Sequence, residues 1–197
     1  FISIKKIGII GPPTSSKAAA LFPEPVNNGK IGLVLTISPD STHSHVAVRY
    51  YDSIEHLLNS SETEWNNFLK NSKKTAILGT QWWLHRGPEL GAPPIKTKRG
   101  WLFIYSAESM SDTWTITAAL ADLNEPHKLI ARAPSYILQP VTDYECQGLM
   151  HNVTFPSGAV IVDDSLYVYY GAADTVIGLA TCKLDELLDY LETFKIK

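Results

Sequence analysis

Short apolar runs separated by turn residues set the pattern of this chain. Residues 32–37, 46–51, 101–105, 115–120, 166–170 and 176–180 are rich in β-branched and aromatic side chains, and Gly, Pro, Asp and Ser punctuate them. Runs of this length and composition predict β-strands. Successive side chains of a strand point to opposite faces. Trp101, Phe103 and Tyr105 should therefore share one face, with Leu102 and Ile104 on the other. Helical spacing is confined to two places. Residues 62–69 form a short, weak pattern, whereas Leu184, Leu187, Leu188, Leu191 and Phe194 predict an amphipathic C-terminal helix.

A repeat underlies the pattern. Apolar strands that begin at a turn residue start at Gly29, Gly100 and Asp164. Each is followed by a second strand, opening at His45, Trp114 and Val176, and then by a polar-apolar stretch from Asp52, Asp122 and Lys183. The copies recur at about 65–70 residues, a period that suits a four-stranded blade with long loops. Propellers close with about 4–8 blades. The expected fold is thus all-β: a partial β-propeller of about three blades over residues 1–197, with a short C-terminal helix and further blades supplied from elsewhere. The open edge of such a unit leaves room for a homo-oligomer.

Composition narrows the function classes. The formal net charge is −3, from 17 basic and 20 acidic residues, so neither nucleic acid nor an anionic membrane surface is an expected partner. No apolar run approaches the ~20 residues that span a bilayer. Phe1 to Ile10 alternates apolar with polar residues and has no small-residue cleavage site, so the cytoplasm is the expected compartment. Cys146 and Cys182 match neither a disulfide framework nor a metal spacing; no metal and no cofactor is implied. Asn59 and Asn152 begin glycosylation sequons, a short match that arises often by chance. The 5 Trp, 9 Tyr and 6 Phe chiefly fill a β core, and those in turns are suited to stacking on sugar rings or bases.

Three stretches carry potential chemistry. The run from His85 to Ile95 is the most loop-like, and it holds Glu89 between Gly87 and Gly91. A carboxylate there is either a base, an acceptor for sugar hydroxyls, or a solvated loop residue. Tyr144-Glu145 and Asn152 form the second stretch; Asn152 either binds hydroxyls or satisfies a tight turn. In the third, a strand ends at Tyr170-Gly-Ala-Ala-Asp174, where small residues permit close approach of a ligand.

Taken in order, these stretches resemble glycoside hydrolase family 130, the β-mannoside phosphorylases and related mannosidases. The resemblance runs through Ala18-Ala-Ala-Leu-Phe-Pro-Glu, Gly91-Ala-Pro-Pro-Ile-Lys-Thr, Gly100-Trp-Leu-Phe-Ile-Tyr and Ala118-Ala-Leu-Ala-Asp-Leu. It continues through Asn124-Glu-Pro, Tyr144-Glu, Asn152-Val-Thr-Phe-Pro-Ser-Gly and Tyr169-Tyr-Gly-Ala-Ala-Asp174. It implies a five-bladed propeller and an oligosaccharide or mannoside substrate. It also implies sugar-binding roles for Asp174, Asn152, Tyr144, Glu145 and Lys17.

Two departures qualify it. The family's proton donor is an Asp in an Asp-Pro-Arg type motif, and that motif is absent from these residues. The positions that resemble the phosphorylases' Arg, Lys and His phosphate ligands are Thr36, Gly87 and Ser106; Lys17 retains a further basic position, and Arg86 stands beside Gly87. A phosphate dianion needs charge-assisted donors. The resemblance therefore implies a glycosidase that hydrolyses β-linked mannosides with inversion, with Glu89 as base and Glu108 as the alternative. The rival readings are an inactive carbohydrate-binding homologue and a phosphorylase that uses Arg86 and Lys17. A structural propeller that binds proteins fits the polar loops less well.

Overall fold

The computed structural model describes residues 3–12 and 16–196. The described residues form three antiparallel sheets. The first runs in chain order: β1 (Ser16–Leu21), β2 (Ile31–Ile37), β3 (His45–Tyr51) and β4 (Ala76–Leu78). The second contains β5 (Leu84–Leu90), β6 (Ile95–Thr97), β7 (Gly100–Ser109), β8 (Trp114–Ala121) and β9 (Leu129–Arg132), ordered β5-β7-β8-β9, with β6 also paired to β7. The third is β10 (Thr154–Val162), β11 (Ser165–Ala172) and β12 (Val176–Lys183). It has three strands where the repeat predicts four. Four short helices accompany the sheets: α1 (Ile54–Leu58), α2 (Glu62–Asn71), α3 (Asp143–Cys146) and α4 (Leu184–Glu192). No helix among the described residues is long and apolar enough to cross a membrane.

Every strand expected from the apolar runs is present. β1, β4, β5, β6, β9 and β10 lie outside those runs. β1 is Ser-Lys-Ala-Ala-Ala-Leu, and alanine favours strands weakly. β5 contains Gly87 and Pro88, which made the stretch read as a loop. It is a bulged strand: its register against β7 shifts twice, around Arg86. Gly87 sits at φ 92, and a Cβ there would lie 3.1 Å from the Ala107 Cα, so the close strand approach requires glycine. α2 is stronger than its hydrophobic spacing indicates because Ser61 and Glu64 form a capping box; the Ser61 amide donates to Glu64 Oε2 at 2.7 Å. Residues 3–12 form no strand despite their alternation, and Ile4, Ile7 and Ile9 are exposed.

The sheets pack face to face, and β7 lies at the centre. Its Trp101, Phe103 and Tyr105 join Val34, Val46 and Val48 of the first sheet in one core cluster. Its Leu102 and Ile104 join Leu166, Val168 and Tyr170 of the third sheet in another. The far face of the first sheet, with Leu33, Leu35 and Tyr51, is covered by Leu57 of α1 and Trp65 of α2. The far face of the third sheet has no such cover. Val160, Val162, Tyr169, Ile177 and Leu179 stand exposed there, so Tyr169 does not lie in an interface among the described residues.

Trp101 is fully buried, and its indole N–H donates to the Leu123 carbonyl at 3.1 Å. Trp101→Ala should therefore cost roughly 3–5 kcal/mol in urea-induced unfolding. Ile177→Thr, on the open face, should change stability by less than about 0.5 kcal/mol.

Candidate functional site

Four strands bring together residues that are far apart in sequence. Lys17 on β1 is paired in register with Thr36 on β2. The Leu90 amide on β5 donates to Thr36 Oγ1 at 2.8 Å, which joins the first and second sheets. Glu89 on β5 is paired with Ser106 on β7, and Gly87 packs against Ala107 beside it. Thr36, Gly87 and Ser106 thus converge around Glu89. Thr36 and Ser106 are buried, and the Ser106 hydroxyl donates to the Thr115 carbonyl at 3.0 Å.

The Glu89 side chain is completely buried and held from two directions. Its Oε1 accepts from the Asp40 amide at 2.8 Å, and its Oε2 lies 3.4 Å from Lys17 Nζ. Lys17 Nζ also donates to Asp40 Oδ1 at 2.9 Å. Partial burial pulls the Lys17 pKa down, but the hydrogen bond to Asp40 and the charge of Glu89 outweigh it and hold the ammonium above its ordinary value. Asp40 adopts the left-handed conformation, φ 55, in the turn after β2. The sequence marks it only as part of a Ser-Pro-Asp-Ser turn; its partners come from tertiary contacts.

Lys17 and Asp40 line a cavity of about 300 Å³ with Trp114, Met150, Val153, Phe155 and Asp174. Asp174 projects from the tight turn between β11 and β12, where it and Ala173 have φ 50 and 47. Trp114 and Phe155 form a tilted pair with centroids 6.0 Å apart. Carboxylates opposite an aromatic wall suit a ligand with hydroxyls on its edges and C–H groups on its faces. Two larger grooves, of about 520 and 650 Å³, lie elsewhere and contain none of the residues singled out above.

The other singled-out residues have different surroundings. Glu145 is buried, and its Oε2 accepts from the Val141 and Thr142 amides at 2.8 and 2.9 Å, capping α3. Its Oε1 accepts from the Tyr170 hydroxyl at 2.7 Å. Glu145 thus serves the fold rather than facing the cavity. Tyr144 is exposed beside it. Asn152 is left-handed, φ 57, and its carbonyl accepts from the Trp114 amide at 3.0 Å, so its backbone holds the turn beneath the cavity wall while its side chain is exposed. Glu108 is buried in a two-pronged ion pair with Arg86, whose Nη2 lies 2.7 Å from Oε1. That pair neutralises both the alternative base and the alternative phosphate cation. His85 and Asp112 lie close enough to Glu108 to form a ligand trio, but the Arg86 guanidinium already occupies its carboxylate. Cys146 and Cys182 are unpaired.

The fold and the cavity define an all-β protein whose strand ends and turns gather carboxylates around one ammonium and an aromatic wall. The chain belongs to glycoside hydrolase family 130: the family model, described as beta-1,4-mannooligosaccharide phosphorylase, matches residues 15–193. It is 35% identical over 172 residues to a 1,2-beta-oligomannan phosphorylase of Thermoanaerobacter sp. (strain X514), covering 87% of this chain and 52% of that protein. A beta-1,2-mannobiose phosphorylase of the same organism is 44% identical over 105 residues, covering 53% of this chain and 35% of that protein. Among solved structures, the beta-1,2-mannobiose phosphorylase from Listeria innocua superimposes with a TM-score of 0.74 at 29% identity, covering 95% of this chain and 49% of that chain. The chain thus spans about half the length of the first of these curated relatives and of that solved structure.

Burial raises the Glu145 pKa, but the Val141 and Thr142 amides and the Tyr170 hydroxyl outweigh it and leave the carboxyl below its ordinary value. A depressed folded-state pKa contributes stability above the unfolded value of about 4.3, lost as pH falls through the folded one. Glu145→Gln should be less stable than the wild type at pH 7. Its stability should also fall less steeply than the wild type's below about pH 4.3 in acid-unfolding curves.

Proposed function

We propose that this chain provides the sugar-binding and water-side part of a β-mannoside-active site, and that the full-length enzyme cleaves its substrate with water rather than phosphate. The observation that carries this reading is the convergence on Glu89. The three positions that resemble the family's phosphate ligands are neutral, and a buried carboxylate lies among them. The cavity is lined by one ammonium, Lys17, and by the carboxylates of Asp40 and Asp174, and Lys17 also meets the buried carboxylate of Glu89. Each close like-charge contact costs about 4 kcal/mol at 4 Å with an effective dielectric near 20, so an incoming dianion meets repulsion where a phosphorylase needs attraction.

Neutral water has no such penalty. It needs a base to take its proton, and the pair of carboxylates held by Lys17 supplies it. Asp174 accepts hydroxyls of the bound mannose, and Trp114 with Phe155 packs against its C–H face. The proton for the leaving oxygen comes from a carboxylic acid of the remaining polypeptide, the counterpart of the family's Asp-Pro-Arg aspartate. The named relatives are phosphorylases, and the reading departs from them on the charge of this site. A phosphorylase reliant on Arg86 is disfavoured because Glu108 already holds that guanidinium.

Incubating the full-length enzyme with β-1,2-mannobiose should release mannose at a rate unaffected by inorganic phosphate. Mannose 1-phosphate among the products would overturn the hydrolytic reading. Asp174→Asn should lower kcat/KM by the equivalent of ~1.5–3 kcal/mol for each charge-assisted hydroxyl bond lost. Unchanged efficiency in that variant would remove Asp174 from the sugar site.

A further inference from the structure

We propose that Asp40 is the catalytic base, and that Glu89 is a positioning residue which fixes it; this rests on the hydrolytic reading above. Both carboxylates belong to one triad with Lys17, but only Asp40 has access to the cavity. The Glu89 side chain is wholly buried, and its two oxygens are directed at the Asp40 amide and Lys17 Nζ. The Asp40 side chain is 52% exposed and lines the cavity together with Trp114 and Phe155. Its Oδ1 accepts from Lys17 at 2.9 Å, and its Oδ2 has no protein partner among the described residues.

The geometry divides the work between the two carboxylates. Glu89 accepts the Asp40 amide at 2.8 Å and thereby holds the left-handed turn, φ 55, that presents the Asp40 side chain. Aspartate is among the residues that adopt this conformation most readily, and the bond to Glu89 fixes it there. Lys17 bridges both carboxylates. It fixes one Asp40 oxygen and leaves the other without a protein partner among the described residues.

In the reaction, Asp40 takes a proton from water as the water oxygen bonds to the anomeric carbon. The bond from that carbon to the leaving oxygen breaks, and the leaving oxygen takes a proton from the carboxylic acid of the remaining polypeptide. Asp40 ends protonated, that acid ends ionised, and the sugar is released with inverted configuration. Loss of the Asp40 proton to solvent and uptake of one by the acid complete the cycle.

The test compares Asp40→Asn, Asp40→Glu and Glu89→Gln in the full-length enzyme on a β-mannobiose, with folding checked by thermal unfolding. Asp40→Asn should lower kcat by about 10²–10⁴-fold with little change in KM, and should lose the acidic limb of the pH profile. Added azide, which needs no base, should restore turnover with formation of a glycosyl azide. Asp40→Glu should recover part of the rate. Glu89→Gln removes a negative charge beside Asp40, so it should lower kcat by a smaller factor and move the acidic limb to lower pH. Near-normal kcat in Asp40→Asn would overturn the assignment, as would azide rescue of Glu89→Gln instead. A wild type that forms mannose 1-phosphate, or that cleaves no mannoside, overturns the hydrolytic reading and this inference with it. An active, hydrolytic wild type with an active Asp40→Asn overturns the inference alone.

Discussion

The packing of β7 on both faces is the constraint on which the rest of this structure depends. A strand buried on one side tolerates a polar alternate row; β7 carries aromatics on one face and aliphatics on the other, and each row closes against a different sheet. Its partner β8 does the same with Ala119 and Ala121 on one face and Ile116, Ala118 and Leu120 on the other. A one-residue slip of either strand would exchange the two rows and misfit both cores at once. Register is thereby fixed, and with it the positions of Ser106 and Glu108 near the end of the same strand.

The site inherits that rigidity. Glu89 reaches its place because β5 is registered on β7 through a bulge at Gly87, and Lys17 reaches it because β1 is registered on β2. One link between the two sheets is the bond from the Leu90 amide to Thr36 Oγ1, between buried groups. A buried carboxylate is tolerated only with donors on its oxygens. Glu89 has two, one from a backbone amide and one from an ammonium, and the ammonium is shared with Asp40. The charge arrangement at the cavity is therefore tied to packing, since moving β1 or β5 would leave a carboxylate without a partner.

The stack of sheets has two unlike ends. At the first sheet, α1 and α2 supply Leu57 and Trp65 as a cover, and the Arg49 guanidinium lies 4.1 Å from the Trp65 ring. At the third sheet, an apolar face of Val160, Val162, Tyr169, Ile177 and Leu179 meets solvent. Its opposite face packs into the core with Leu187, Leu188 and Leu191 of α4. The described residues thus form a stack that is closed at one end and open at the other.

The sequence by itself determined the strands that alternate strongly, the face assignment of β7, the C-terminal helix and the family. These depend on local periodicity and on short motifs, which need no knowledge of distant residues. It also drew attention to Lys17 and Asp174, which line the cavity, and to Glu89, which is buried against Lys17. Only the tertiary structure decided that the run around Glu89 is a bulged strand, because Gly87 and Pro88 disguise a pairing that β7 imposes from outside. It alone decided that Glu145 caps α3 while Glu108 answers Arg86, since identical carboxylates acquire their roles from whichever donors the fold places within reach. Asp40 is the clearest case. In the sequence it is a turn residue like several others; its bond to Lys17, 23 positions away, exists only once β1 pairs with β2, and its bond to Glu89, 49 positions away, only once the first two sheets are packed.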